Sequence, residues 1–304
     1  MRRNRGLTFS TIERLAPDKE TPTTSPNVFH AADGRYGTLA VLLIGYDVEK
    51  LDDPEITRAF LHRAREVHRE HPCTLFLLGK VIENNARDLE KLADDPMFDF
   101  QQHTYSHRLL KTVCMERDGE VTVYHGMPFS EIEDEVGRTS ELLKKRFGKE
   151  CLGITGPWGY YRGLADRPDI LEILHRLGIR FTRTYGRDHH DFQPVAFEIQ
   201  PFRYAPQGFG DMLEFPIHGW QDVYWRDING WDNVDGYVSY LLECLDYIAD
   251  RDLVWSHGTH DWSSVRDDPD MTIMRAVLEA ADKHGVEVRS YVDLYDRSEP
   301  TTNG

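Results

Sequence analysis

Short runs of apolar residues alternate with amphipathic stretches along most of this chain. Apolar runs of roughly four to eight residues that are rich in β-branched side chains predict buried strands. Such runs predict strands at residues 39–46, 73–78, 98–102, 151–155, 179–184, 213–217, 253–257 and 286–290. Apolar positions that recur every three or four residues predict helices at residues 54–71, 81–94, 131–147, 169–177, 234–250 and 269–284.

This alternation predicts an α/β fold with a parallel sheet covered by helices, because strands buried on both faces are apolar throughout. Seven or eight such units are typical of a (β/α) barrel rather than an open sheet. We interpret residues 36–296 as the barrel domain, residues 1–35 as an irregular N-terminal arm and residues 297–304 as a flexible tail. Residues 187–210 contain Pro and Gly and show no clear period, which predicts a long loop or a small hairpin over the mouth of the barrel.

The charge balance is acidic, with 52 Asp and Glu residues against 36 Lys and Arg residues and a formal net charge of −16. Such a protein repels phosphate backbones and anionic membranes, so we expect neither nucleic acid nor membrane as partner. A neutral or cationic substrate would suit this charge, but we interpret the acid excess first as a source of solubility. The longest apolar run is too short to span a bilayer, and no apolar segment follows the basic N-terminus, so we expect a cytoplasmic protein. The four cysteines form no C-x-x-C pair and are expected to be reduced thiols.

Histidines and acids gather where the predicted strands end, and these C-terminal ends converge on one face of a barrel, where catalysis takes place. His103 and His107 are four residues apart, so a helical turn would direct both imidazoles at one metal ion. Asp47 and Glu49 are two residues apart, and in an extended segment both carboxylates point the same way. One could bind the metal while the other accepts a proton from water, which is what amide hydrolysis requires.

Four segments resemble, in order, the motifs of the polysaccharide deacetylase family (carbohydrate esterase family four). They are Asp47-Val48-Glu49, His103-Thr104-Tyr105-Ser106-His107, Gly156-Pro157-Trp158-Gly159-Tyr160 and Val254-Trp255-Ser256-His257. The resemblance extends over residues 39–290 and is most specific in the second segment. It implies a distorted or incomplete (β/α) barrel with seven or eight parallel strands. It also implies a divalent metal, with zinc expected, and removal of an acyl group, usually acetyl, from the amide nitrogen of a sugar or small amine.

The resemblance also implies a role for each matching residue. His103 and His107 would bind the metal together with Glu49, or with Asp47 if Glu49 is not a ligand. Asp47 would be the catalytic base, and His257 would be the general acid that protonates the leaving amine.

The third motif implies an oxyanion donor, the backbone N–H of Trp158. Aromatic rings are also frequent near the predicted mouth, and flat rings suit the apolar face of a sugar. Residues expected to bind substrate at these strand ends and rings are Pro157, Tyr160, Trp220, His218 and Trp262.

The chain departs from the family pattern at two places. Val48 stands where the first motif usually has a second, adjacent acid, and the third motif lacks the Arg that normally pairs with the catalytic acid. Arg183, at the end of a predicted strand, or Arg162 could replace that cation and orient Asp47.

Two other functions stay open at this point. The chain could open cyclic ureides or imides, as an allantoinase-like relative, or it could bind carbohydrate without catalysis. The sequence does not indicate the oligomeric state.

Overall fold

The computed structural model describes residues 39–117 and 120–298, which form alternating strands and helices. The strands are β1 Val41–Val48, β2 Cys73–Leu77, β3 Phe98–Gln102, β4 Val113–Arg117, β5 Glu120–Tyr124, β6 Gly153–Tyr161, β7 Phe181–Arg187, β8 Phe202–Tyr204, β9 Phe209–Glu214, β10 Val254–His260 and β11 Glu287–Arg289. The helices are α1 Pro54–Val67, α2 Gly79–Ala93, α3 Phe129–Phe147, α4 Pro168–Arg176, α5 Asp222–Asn229, α6 Val234–Ala249, α7 Asp261–Arg266, α8 Thr272–His284 and α9 Tyr291–Ser298. A short 3₁₀ turn, Ala205–Gln207, joins β8 to β9.

One large sheet organises the molecule, in the order β10-β1-β2-β3-β6-β7-β9-β8, and β11 also pairs with the start of β1. Neighbouring strands from β10 to β9 are parallel, and only the edge strand β8 is antiparallel to its neighbour. The prediction of an α/β fold with an incomplete (β/α) barrel is therefore confirmed. Seven strands make up the parallel series, the lower of the two predicted numbers.

The sheet curls so that its two ends approach each other around an apolar interior. Alternate residues of β1 point to opposite sides, so that Leu43 faces this interior while Leu42 and Ile44 belong to the layer under the helices. The interior cluster draws on β1, β2, β7, the β9 end and α9, through Val41, Leu43, Phe76, Phe181, Leu213, Phe215 and Tyr291. A backbone hydrogen bond from His218 to Ser256 (3.1 Å) ties the chain beyond β9 to β10.

Some segments were not predicted. Strands β4 and β5 form a separate antiparallel hairpin beside the cavity described below, and helices α5, α7 and α9 were also missed. Residues 187–210, predicted as a loop or hairpin, contain β8, which pairs with β9. Helix α9 continues to Ser298, two residues into the predicted tail, whereas the predicted arm at residues 1–35 lies outside the described residues.

No helix in the described parts of the chain is long and apolar enough to cross a membrane.

Candidate active site

A cavity of about 900 Å³ opens at the C-terminal ends of the parallel strands. Asp47 lies at the end of β1 and Glu49 directly follows that strand, His103 and His107 follow β3, and His260 ends β10. The hairpin β4–β5, the second half of β6 and the loop beyond β7 form part of its walls. The structure therefore brings the predicted acids and the predicted histidine pair to one place.

Glu49, His103 and His107 form the core of the site. Their ligand atoms all lie within 4.8 Å of one another. Oε2 of Glu49 is 2.8 Å from Nε2 of His107 and 3.2 Å from Nε2 of His103. One carboxylate oxygen and two imidazole nitrogens at this spacing are a donor set that suits a divalent transition metal, zinc among them.

The segment between the two histidines is an irregular loop, not the helical turn expected from their spacing. Thr104 and His107 adopt left-handed backbone conformations, with φ values of 68° and 64°. The carboxylate of Glu135 in α3 accepts hydrogen bonds from the backbone N–H groups of Tyr105 (3.2 Å) and Ser106 (3.0 Å). Helix α3 thus fixes the loop that aims both imidazoles at Glu49.

His103 is held in the tautomer that a metal ligand requires. Its Nδ1–H donates to the carbonyl oxygen of Thr155 (3.0 Å), which leaves the Nε2 lone pair directed at Glu49. Glu49 is itself oriented by the indole N–H of Trp262, which donates to Oε1 at 3.2 Å. Burial acts to raise the pKa of Glu49, but the charge of His260 and the contacts with His103 and His107 outweigh it. The pKa therefore lies well below its usual range, and the carboxylate is ionised.

Asp47 pairs with Arg183, the residue considered from its strand-end position as a replacement for the missing family Arg. Nη2 of Arg183 donates to Oδ1 of Asp47, and Nε donates to the hydroxyl of Thr155 (3.2 Å). The guanidinium is fully buried and reaches from β7 across the interior to β1. Gly45 and Gly258 leave space for the guanidinium, because a Cβ atom would lie 3.0 Å from Nη1 at Gly45 and 2.8 Å from Nη1 at Gly258. Arg162, the alternative candidate, is not among the residues that line the cavity.

His260 is the histidine of β10 that reaches the cavity. It is paired with Asp47 across the β1–β10 ladder, so the two residues end neighbouring strands side by side. Its Nδ1–H donates to Oδ1 of Asp222 (2.9 Å), and its Nε2 lies 3.9 Å from Oε1 of Glu49. Burial lowers the pKa of His260, but the charges of Asp222 and Glu49 raise it to about 10, so the imidazole is protonated at neutral pH.

The structure does not bring His257, the residue predicted as general acid, to this cavity. His257 lies three positions before His260 and therefore points to the opposite face of β10. Its ring packs 5.2 Å from that of Trp255, beneath the helices, and it is 3% exposed. Burial lowers the pKa of His257 to about 4, so the imidazole is neutral.

Most of the predicted substrate-binding residues do not line the cavity. Trp262 does line it, and Trp158 lies on its wall with a left-handed φ of 70° and its ring 4.4 Å from that of Tyr124. Pro157 is buried, and the hydroxyl of Tyr160 accepts the backbone N–H of Leu110 (2.9 Å).

Two further predicted substrate-binding residues have structural contacts instead. Trp220 is 7% exposed and packs its ring against Phe192. His218 donates to the carbonyl of Ile199 (2.8 Å) and accepts the N–H of Ser256 (3.0 Å), so both of its nitrogens hold the loop to β10.

Two residues of the site, His260 and Asp222, were assigned no role from the sequence. A signal for His260 was present, because the alternation of β10 places it on the same face as Ser256 and Gly258 if the strand is extended by three residues. Asp222 begins α5, a helix of only eight residues, and no short-range pattern connects it to a strand 38 residues later.

The comparison with protein families confirms the resemblance stated from the sequence: residues 49–182 match the model of the polysaccharide deacetylase family. The match includes Glu49, His103, His107 and Trp158. It supports a hydrolase that acts on amide bonds. No curated protein matches the sequence significantly.

Several solved structures share the fold. A Mycobacterium smegmatis protein assigned to the polysaccharide deacetylases has a TM-score of 0.58 and 14% identity, over 87% of this chain and 91% of that one. A Pseudomonas aeruginosa protein with the same assignment has a TM-score of 0.59 and 14% identity, over 87% and 93%. PuuE allantoinase has a TM-score of 0.65 and 12% identity, over 91% and 99%. At such identities the likeness concerns the fold alone.

Proposed function

We propose that this chain is a metal-dependent hydrolase that removes an acyl group, acetyl in the first instance, from an amide nitrogen. The match to the polysaccharide deacetylase family over residues 49–182 supports this proposal. The substrate would be a sugar or a small amine. The observation that carries this proposal is the convergence of Glu49, His103 and His107 within 4.8 Å at the floor of a cavity. Asp47 and His260, the candidates for base and acid, line the same cavity.

The residues fit a divalent metal, for which zinc is our first choice. The donor set is one ionised carboxylate and two imidazoles, and His103 is already fixed with its Nε2 lone pair available. Zinc sites that use three protein ligands leave positions open for water and substrate, as catalysis requires. When bound, such an ion supplies a Lewis acid that polarises an amide carbonyl and acidifies a water.

Asp47 is proposed as the base that removes a proton from the attacking water. A base must be fixed in orientation, and the guanidinium of Arg183 fixes Asp47 from within the buried interior. Thr155 links this pair to the metal-ligand group, since its hydroxyl accepts from Arg183 and its carbonyl accepts from His103.

His260 is proposed as the acid that protonates the leaving nitrogen, in place of His257. An acid must carry its proton before the C–N bond breaks, and the buried carboxylate of Asp222 keeps His260 protonated. The backbone N–H of Trp158 is retained as the proposed donor to the developing oxyanion, because Trp158 lines the same cavity.

Metal content and acetate release together test this proposal. The purified protein should contain about one divalent ion per chain, lose activity in a chelator and regain it when zinc is added back. The substrate panel should pair N-acetylated sugars and amines with cyclic amides such as hydantoins. Release of acetate supports the proposal, turnover of cyclic amides alone would redirect it, and a metal-free protein with full activity would overturn it.

A further inference from the structure

Arg187 is a second buried arginine of β7, four residues beyond Arg183 on the same face of the strand. Only 2% of it is exposed, and it forms part of the cavity wall. At about 3.3 Å per residue, it stands about 13 Å closer to the mouth than Arg183. The proposed reaction assigns no role to Arg187.

The contacts of Arg187 leave its charge without a counter-ion. Its Nε donates to the carbonyl of Gly159 (3.1 Å), and its Nη1 donates to the carbonyl of Asp191 (2.8 Å). Within residues 39–117 and 120–298, no carboxylate lies within ion-pair distance of it. The other two arginines buried to this degree do have one: Arg183 contacts Asp47, and Arg226 lies 3.7 Å from Asp267.

A guanidinium carries five N–H donors, and these two carbonyls use two of them. The carbonyl contacts also fix the plane of the group, because they hold it at two separate nitrogens. A fixed, desolvated guanidinium with free donors recognises a carboxylate through two parallel hydrogen bonds. The side chain of Gln221 lines the same cavity.

We propose that Arg187 binds a carboxylate of the substrate, so that the enzyme acts on N-acylated amines that also carry a carboxylic acid. This inference rests on the proposed deacylase function. It differs from the neutral or cationic substrate that the net charge of −16 would suit. The acids Glu116, Glu120 and Asp227 at the cavity rim are exposed and screened by water, whereas Arg187 is buried, so local recognition outweighs overall charge.

The experiment compares matched acids and amides. Two pairs suffice: N-acetylmuramic acid with its carboxamide, and 4-acetamidobutyrate with its carboxamide. Acetate release gives kcat/KM for each compound, and calorimetric titration gives Kd independently of turnover. The wild type should prefer the acid by about 10–100-fold in both measurements, as two hydrogen bonds to a charged group allow. Arg187→Gln should reduce kcat/KM and affinity for the acid far more than for the carboxamide.

Arg180→Gln is the matched control. Arg180 also donates to two backbone carbonyls, those of His175 and Ile179 (both 3.0 Å), but it precedes β7 at the opposite end and does not line the cavity. It should keep the preference for the acid. Arg187→Lys, which retains the charge without the planar fork, should keep part of it and serves if the Gln variant does not fold.

Equal losses for acid and carboxamide in Arg187→Gln would show that Arg187 only holds Gly159 and Asp191, and would overturn the inference. An unchanged preference would overturn it as well. If neither pair is turned over by any variant, the deacylase proposal fails for these compounds, and the Kd values alone decide on the carboxylate site. Tighter binding of the acid that disappears in Arg187→Gln supports the carboxylate site. Equal binding of acid and carboxamide by the wild type overturns the carboxylate site.

Discussion

Two histidines on opposite faces of β10 have opposite charge states. On the cavity face, His260 is protonated, with a pKa raised to about 10 by Asp222 and Glu49 against the effect of burial. On the outer face, burial lowers the pKa of His257 to about 4, and the charge of Asp222 does not reverse this. Both rings lie in the protein interior, so burial alone does not decide the charge.

The difference lies in the partners. Asp222 accepts a hydrogen bond from His260, whereas the ring of His257 packs against Trp255. His218 resembles His257: burial lowers its pKa to about 4, and its partners are backbone groups. A buried imidazole becomes an acid for catalysis only where a carboxylate compensates its charge.

The largest effect should come from removing a metal ligand. We expect His103→Ala to lose both the divalent ion and all measurable activity, a greater loss than the roughly 10²–10⁴-fold that a single proton donor contributes. His218→Ala removes an equally buried imidazole outside the cavity and should keep the ion. Elemental analysis of both proteins, together with acetate release, makes the comparison. Retention of the ion by His103→Ala would remove His103 from the ligand set.

The next largest effect should separate the two histidines of β10. We expect His260→Ala to keep the metal and lose roughly 10²–10⁴-fold in kcat, because the leaving nitrogen no longer receives a proton. His257→Ala should instead lower the free energy of unfolding by about 1–3 kcal/mol, with the turnover of the folded protein close to that of the wild type. Denaturant titration and steady-state kinetics measure the two effects. The reverse pattern would return the role of general acid to His257.

Removal of Arg183 should cost less activity but more stability. We expect Arg183→Ala to lower turnover by about 10–100-fold while the metal stays bound, since Asp47 loses its orientation. Breaking a buried ion pair should also cost about 3–5 kcal/mol of unfolding free energy. Arg183→Lys should recover only part of each, because an ammonium does not reproduce the planar contacts to Asp47 and Thr155. Turnover at saturating metal that equals the wild type in Arg183→Ala would leave Asp47 without this support.

The smallest effect is a shift in pH dependence. Because Asp222 raises the pKa of His260, Asp222→Asn should lower it, and the alkaline limb of kcat/KM should move to lower pH by about one unit or more. The stability that the raised pKa provides is fully present below the unfolded value of about 6.5 and is lost as pH rises toward about 10, so the variant should lose most stability at acidic and neutral pH. A pH profile between about 6 and 10 tests the shift. An unmoved limb would separate Asp222 from the acid.

Strands and long helices were predictable because burial on both faces leaves a continuous apolar signal, as in β2, where all five residues are buried. The hairpin β4–β5 was not, because all five residues of β5 are exposed and its pattern is not that of a buried strand. Helix α7 is only six residues long, too short to show a period.

The candidate site was predictable where its residues follow their strands closely, as Glu49 and His107 do. The acid could not be chosen from the motif alone, because the choice depends on which face of β10 meets the cavity and on Asp222, which is brought there by tertiary packing. The role of each residue, the cytoplasmic location and the identity of the metal stay predictions.

Arg183 has a consequence for how this site could decay during evolution. Its guanidinium spans the interior from β7 to β1 and lies 4.5 Å from the ring centre of Phe76, so the group that orients Asp47 also fills the middle of the molecule. Glu49, His107 and His260 line the cavity, where a smaller side chain leaves space for water. A lineage that lost catalysis could replace those residues at low cost while selection for folding retained Arg183. Among divergent descendants, an Arg at this position would therefore be a poor marker of activity, and the pair of Glu49 and His260 a better one.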